Sequence, residues 1–141
     1  MFKKILVPTD GSEYSRRAFV IALKMSRQFV SEVILLHVAV TPEALGYVLS
    51  KDTAVVQEQV NLSGETVLTA TCKDMEIEGV KLTIIKAAGH PSSVILDEIA
   101  NKDIDLIIMG CHGYGALTGS LMGSVSQKVL AKTKQPVLLV K

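Results

Sequence analysis

Five short, mostly apolar runs punctuate the chain: Ile5-Leu6-Val7, Val33-Ile34-Leu35-Leu36-His37-Val38, Lys81-Leu82-Thr83-Ile84-Ile85-Lys86, Leu106-Ile107-Ile108-Met109 and Val137-Leu138-Leu139-Val140. A strand that can face water alternates apolar with polar residues. A strand without that alternation needs cover on both faces, the condition of a parallel sheet between two helical layers. The stretches between the runs carry apolar residues at helical spacing. The order is therefore βαβαβαβαβ, and the expected class is α/β, an open five-stranded parallel sheet with helices on both faces.

The helical stretches have readable ends. Ser12 and Ser15 are cap candidates for a first helix that carries Ala18, Ile21, Ala22, Met25 and Phe29 inward. In the second helix Val56, Val60, Val67, Thr71 and Met75 share a face, Gly64 is a weak point and Gly79 a natural stop. Pro91 or Ser92 opens a third, with Val94, Ile95 and Ile99 inward, and Val125 to Leu130 reads as a fourth. Thr41 to Ser50 has no clear period and suits a lid, an interface or a short helix.

Bulk properties exclude several classes. At 141 residues one domain, 1–141, is expected, without internal repeat or linker. A net charge of +1 argues against nucleic-acid binding through bulk electrostatics. No apolar run approaches the ~20 residues of a membrane helix. Pro8, Thr9 and Asp10 interrupt any signal-peptide core, so the expected location is cytoplasmic. Cys72 and Cys111 are too few for a disulfide framework or a zinc site; Cys72 reads as a small hydrophobe on a helix.

The chemistry concentrates between Gly110 and Ser124, which hold five of the ten glycines. This stretch follows a buried strand and leads into a helix. Glycines let backbone approach a ligand closely, and a helix start offers unpaired N–H groups and a positive dipole end. The expected role is an anion cradle. In parallel sheets ligands bind beyond the carboxyl ends of strands, where the winding reverses. Pro8 to Ser12, after the first strand, would meet this loop if the first and fourth strands are neighbours, which the residues alone leave open.

The spacing Gly110-x2-Gly113-x9-Gly123-Ser124 resembles the nucleotide-binding branch of the universal stress protein family. The opening Ile5-Leu6-Val7-Pro8-Thr9-Asp10-Gly11-Ser12, the strand end His37-Val38 and the final Pro136-Val137-Leu138-Leu139-Val140 resemble it too, across essentially the whole chain. The resemblance implies a Rossmann-like sheet in the order 3-2-1-4-5. It implies ATP, or ADP or AMP, as ligand, with Mg²⁺ or Mn²⁺, in a homodimer that pairs through the C-terminal strand. Carried onto this chain, it places Pro8, Thr9 and Asp10 on the adenosine and metal side. Val38 holds the adenine through backbone groups. Met109, Gly110, His112 and Gly113 sit against ribose and phosphates, and Gly123, Ser124, Val125 and Ser126 bind phosphate at the helix start.

The residue types agree with those roles. The Asp10 carboxylate is a hard oxygen that suits Mg²⁺ bridging to phosphate, although a turn or cap role is the commoner one for such an Asp. Ser124 and Ser126 supply hydroxyls in a first turn, where N-capping is a compatible role. His37 is expected to be a hydrogen-bonded structural residue, and His90 is a weaker site candidate. Two departures stand out. Tyr114 occupies a position where many relatives carry a basic residue, and no Lys or Arg occurs between Lys102 and Lys128. Phosphate charge then falls to backbone amides, hydroxyls and a metal. Cys111 sits where Ser is usual, an isosteric change before it is a redox thiol. The expected function is a nucleotide-binding regulatory module of stress response, a homodimeric switch. The alternatives are a slow Mg-dependent ATP hydrolase and a ligand-free interaction scaffold.

Overall fold

The computed structural model describes residues 1–41, 53–112 and 122–141. Its elements are β1 (Lys4–Pro8), α1 (Glu13–Phe29), β2 (Glu32–Ala39), α2 (Thr53–Cys72), β3 (Lys81–Ala88), α3 (Pro91–Asn101), β4 (Leu106–Gly110), α4 (Ser124–Lys132) and β5 (Val137–Val140). Gly113 and most of Thr41–Ser50 lie outside the described residues.

The strands form one parallel sheet in the order β3-β2-β1-β4-β5. In register, Leu6 pairs with Ile34 on one side and with Ile107 on the other. The winding direction therefore reverses between β1 and β4.

Two cores flank the sheet, as continuous apolar strands require. Ile5, Val7, Val33, Leu35, Leu106 and Ile108 turn to one face and meet Ala18, Phe19, Ala22 and Leu23 of α1 and Leu68 of α2. Leu6, Ile34, Leu36, Ile107 and Met109 turn to the other and meet Ile95 and Ile99 of α3 and Val129 of α4. Each fully buried Leu, Ile or Phe side chain contributes about 1.5–3 kcal/mol. β3 departs from the doubly buried pattern because it is an edge strand, and Ile84 stays 48% exposed.

Helix ends follow local chemistry, with one correction. Ser12 caps α1 by accepting from the Ser15 N–H, and Val30 closes the helix in the left-handed region. α2 stops at Cys72, well before Gly79, because Asp74 takes a φ of 60° and turns the chain. Met75 is thus beyond the helix, though it still packs against the α1/α2 core. Gly79, at φ 80°, serves the turn into β3 instead. Among the described residues no helix is long and apolar enough to cross a membrane.

Candidate functional site

Beyond the carboxyl ends of β1, β2 and β4 lies a crevice of about 520 Å³. That size is ordinary for a small-molecule site. Of the residues singled out from sequence, Pro8, Thr9, Asp10, Val38, Met109, Gly110, His112, Val125 and Ser126 line it. Gly123 and Ser124 are not in its wall: Gly123 is the N-cap of α4, and Ser124 is exposed on the first turn. His90 is not in its wall, although the next residue, Pro91, is; it stands at the N-cap of α3, and its Nδ1 exchanges a hydrogen bond with the Ser92 hydroxyl.

The floor is set by Thr9. Its N–H donates to the Leu36 carbonyl at 2.8 Å, and its carbonyl accepts from His37 Nδ1 at 2.9 Å. Its hydroxyl lies 2.7 Å from that of Thr71 on α2 and 3.0 Å from that of Ser15 on α1. Thr71 donates onward to the Val67 carbonyl. These buried hydroxyls tie the end of β1 to both helices on that side. Buried polar groups are tolerated when they are paired, and a connected network also fixes geometry.

Asp10 Oδ1 accepts from the Ser12 N–H at 2.9 Å and from the Ser15 hydroxyl at 3.1 Å. The carboxylate is therefore oriented by its own turn. This is the turn role weighed from sequence, and it leaves the carboxylate at the crevice wall. Among the described residues no group of three or more His, Cys, Asp or Glu could hold a metal ion. Among the described lining residues a cation here would find Asp10 as its single carboxylate and complete its shell from ligand and water oxygens, a pattern that suits Mg²⁺.

The far wall comes from β4 and α4. The Gly123 N–H donates to the Cys111 carbonyl, and Ser126 Oγ donates to the Gly110 carbonyl at 2.9 Å. Both ends of the glycine-rich connection are thereby fastened together beside the sheet. The first helical bond of α4 is Gln127 N–H to Gly123 O. The amides of Ser124, Val125 and Ser126 precede it, and among the described residues no side chain caps the helix. Such amides form the positive end of the helix dipole. Cys111 is buried, with its N–H bonded to the Val140 carbonyl, which fits a small packed side chain. Cys72 is half-buried, and desolvation raises its thiol pKa.

His112 stands between these walls. Its ring meets Tyr14 edge-on at 5.2 Å, and the Arg17 guanidinium lies over the Tyr14 ring at 5.6 Å. Sequence reasoning missed Ser15, Ser63, Pro91 and Ile95 as crevice residues, and gave His37 only a structural role. Ser15 and Ile95 read as helix cap and core, which they also are. Ser63 carries no local signal at all. Among the described lining residues none is Lys or Arg.

The whole chain matches known proteins in sequence and in fold. Universal stress protein MJ0531 of Methanocaldococcus jannaschii is 32% identical over all of this chain and 83% of its own length. Universal stress protein YxiE of Bacillus subtilis is 32% identical, with both chains covered completely. The solved structure of MJ0577, also of Methanocaldococcus jannaschii, superposes with a TM-score of 0.81 at 34% identity, covering 100% of this chain and 96% of that one. The sequence profile of the Universal stress protein family matches residues 1–141. By sequence profile, by full-length identity and by fold, the chain belongs to the universal stress protein family.

Proposed function

We propose that the chain is a single nucleotide-binding domain whose crevice takes an adenine nucleotide, ATP or its di- or monophosphate. The observation that carries this reading is the uncapped N-terminus of α4, whose Val125 and Ser126 open on a crevice at the β1/β4 reversal. Ser124, Val125 and Ser126 supply amides ahead of the helical ladder, where a phosphate binds without any cationic side chain. Thr9, Asp10 and Val38 form the wall for the nucleoside, with Asp10 as the one carboxylate among the described lining residues for Mg²⁺ or Mn²⁺. His112 and Gly110 stand between the two ends. Universal stress proteins of this fold have been solved in complex with cAMP and with dAMP, at 20% and 19% identity to this chain.

The chain works as a regulatory switch rather than a fast enzyme. Phosphoryl transfer draws on a cationic clamp and a water-orienting group, and the described crevice wall offers no Lys or Arg. Filling the crevice biases the conformation of α2 and the neighbouring segment and so alters a surface read by partners. The assembly is a cytoplasmic homodimer formed through β5, an edge strand with Leu138 exposed.

The purified protein, denatured and freed of precipitate, is expected to release an adenine nucleotide detectable by chromatography. Added ATP with Mg²⁺ is expected to raise the melting temperature with negligible phosphate release. Rapid release would favour the hydrolase. No nucleotide, and no thermal shift with any of the three phosphates, would leave the scaffold reading.

A further inference from the structure

His37 holds a buried ring nitrogen that no described residue uses. Its side chain is 7% exposed and lines the crevice together with Ser63 of α2. Nδ1 lies 2.9 Å from the Thr9 carbonyl oxygen. A carbonyl oxygen can only accept, so Nδ1 carries the hydrogen. In the neutral ring that assignment leaves Nε2 as an acceptor. Nε2 is sealed from solvent and has no hydrogen-bond partner among the described residues. Buried ring nitrogens are nearly always paired, so an orphan at the wall of a ligand crevice asks for a donor.

Gly64 of α2 packs beside this edge of the ring. The position a Cβ would take on Gly64 lies 3.8 Å from His37 Cδ2, the carbon bonded to Nε2, and 3.3 Å from Cδ of Lys86. Lys86 itself pairs with Glu65 at 3.6 Å. Gly64, the residue without a side chain next to Ser63, and the Lys86 stem therefore lie beside the ring edge that carries Nε2, and Ser63 borders the open space of the crevice.

We propose that His37 is a specificity residue that reads the nucleoside: when the Ser63–Gly64 turn shifts, Nε2 accepts a hydrogen bond from a ligand O–H or N–H. The assignment rests on the adenine-nucleotide reading above and deepens it. Ionised phosphate oxygens only accept, so this nitrogen cannot serve them. The donors on an adenine nucleotide are the ribose hydroxyls and the exocyclic amine, and His37 discriminates among ligands by whether they carry the matching one.

The test uses the full chain, labelled with ¹⁵N, and follows the imidazole nitrogens during titration with ATP and Mg²⁺ at constant pH. The expected result is an Nδ1–H tautomer throughout, with the Nε2 resonance moving to the position of a hydrogen-bonded acceptor as ATP binds. Affinities are measured in parallel for ATP, 2′-deoxy-ATP, 3′-deoxy-ATP and the triphosphate of purine riboside, which lacks the amine. His37→Asn keeps a donor for the Thr9 carbonyl but removes the far acceptor. It is expected to lose about tenfold in affinity for ATP, and the analogue lacking the matching donor loses nothing further on this variant. An Nε2 resonance that stays still while the Ser124–Ser126 amides shift would overturn the assignment and leave nucleotide binding intact. So would an equal-fold loss across all four nucleotides. If neither the imidazole nor those amides respond to any of the four, the nucleotide reading fails and the assignment falls with it.

Discussion

The place a Cβ on Gly110 would occupy lies 2.8 Å from Cβ of Tyr14 and 2.9 Å from its backbone carbonyl carbon. The first turn of α1 rests directly on the end of β4, and only a residue without a side chain permits that approach. Gly110 thus lets two elements of the protein meet as well as bordering the crevice.

Gly110→Ala is accordingly expected to destabilise the fold, because the obstacle is partly backbone and cannot rotate away. Overpacking of this kind costs about 1–3 kcal/mol. Urea denaturation gives the number. An unchanged midpoint would show that α1 slides without penalty.

Gly123 has a different reason to be glycine. Its φ of −70° and ψ of 158° are open to any residue, and as N-cap it provides no side-chain bond. Gly123→Asp should strengthen the cap, raising stability by roughly 0.3–1 kcal/mol. The same carboxylate would repel a phosphate at those amides, so nucleotide affinity should fall. Urea denaturation and a binding titration on one variant test the opposing signs. Full affinity in a stabilised variant would remove the α4 terminus from the site.

Gly64 looks like a weak point in α2, and an added Cβ there would press only on a side chain that can yield. The nearest atom to an added Cβ is Lys86 Cδ at 3.3 Å, part of a flexible stem. Gly64→Ala should therefore stabilise the protein by about 0.5–1 kcal/mol through helix propensity. A loss of stability would mean that Lys86 cannot yield.

Acid should expose a contribution from Glu32. Its carboxylate accepts from the Thr83 hydroxyl at 2.8 Å and pairs with Lys81 at 3.2 Å. The Thr83 bond first, then Lys81 and Lys4, hold its pKa below 4.5 against an opposing push from desolvation. A depressed folded pKa stabilises the protein above the unfolded value, and that stability is lost as pH falls through the folded one. Glu32→Gln should be less stable than the parent near neutral pH, with the gap closing as pH drops below 4.5. Denaturation midpoints across that range decide it, and a gap independent of pH would refute the account.

The alternation of elements was legible because its signal is local. Unbroken apolar runs such as Leu106 to Met109 declare two-sided burial residue by residue, and both faces of β4 are buried. The Ser12 cap and the Pro91 start are likewise local chemistry and appear where expected. The end of α2 was misplaced because Gly79 is the more obvious breaker, while Asp74 took the left-handed turn first. Within the crevice, residues beside the strand ends could be named in advance, since their positions follow from chain order. Ser63 and the place of His37 in the crevice wall could not.

The sequence by itself determined the class of sheet, the layers that cover it and the loops that leave its carboxyl edge. These follow from which stretches must hide from water on both sides. The residues alone left open whether β1 lies beside β4, and the family resemblance supplied that order. The tertiary structure decided the contacts that make the site: Thr9 against Thr71, 62 positions apart, and Thr9 against His37, 28 apart. No periodicity encodes such pairs. A hydrogen bond between distant residues exists only once packing has brought them within 3 Å or so of each other.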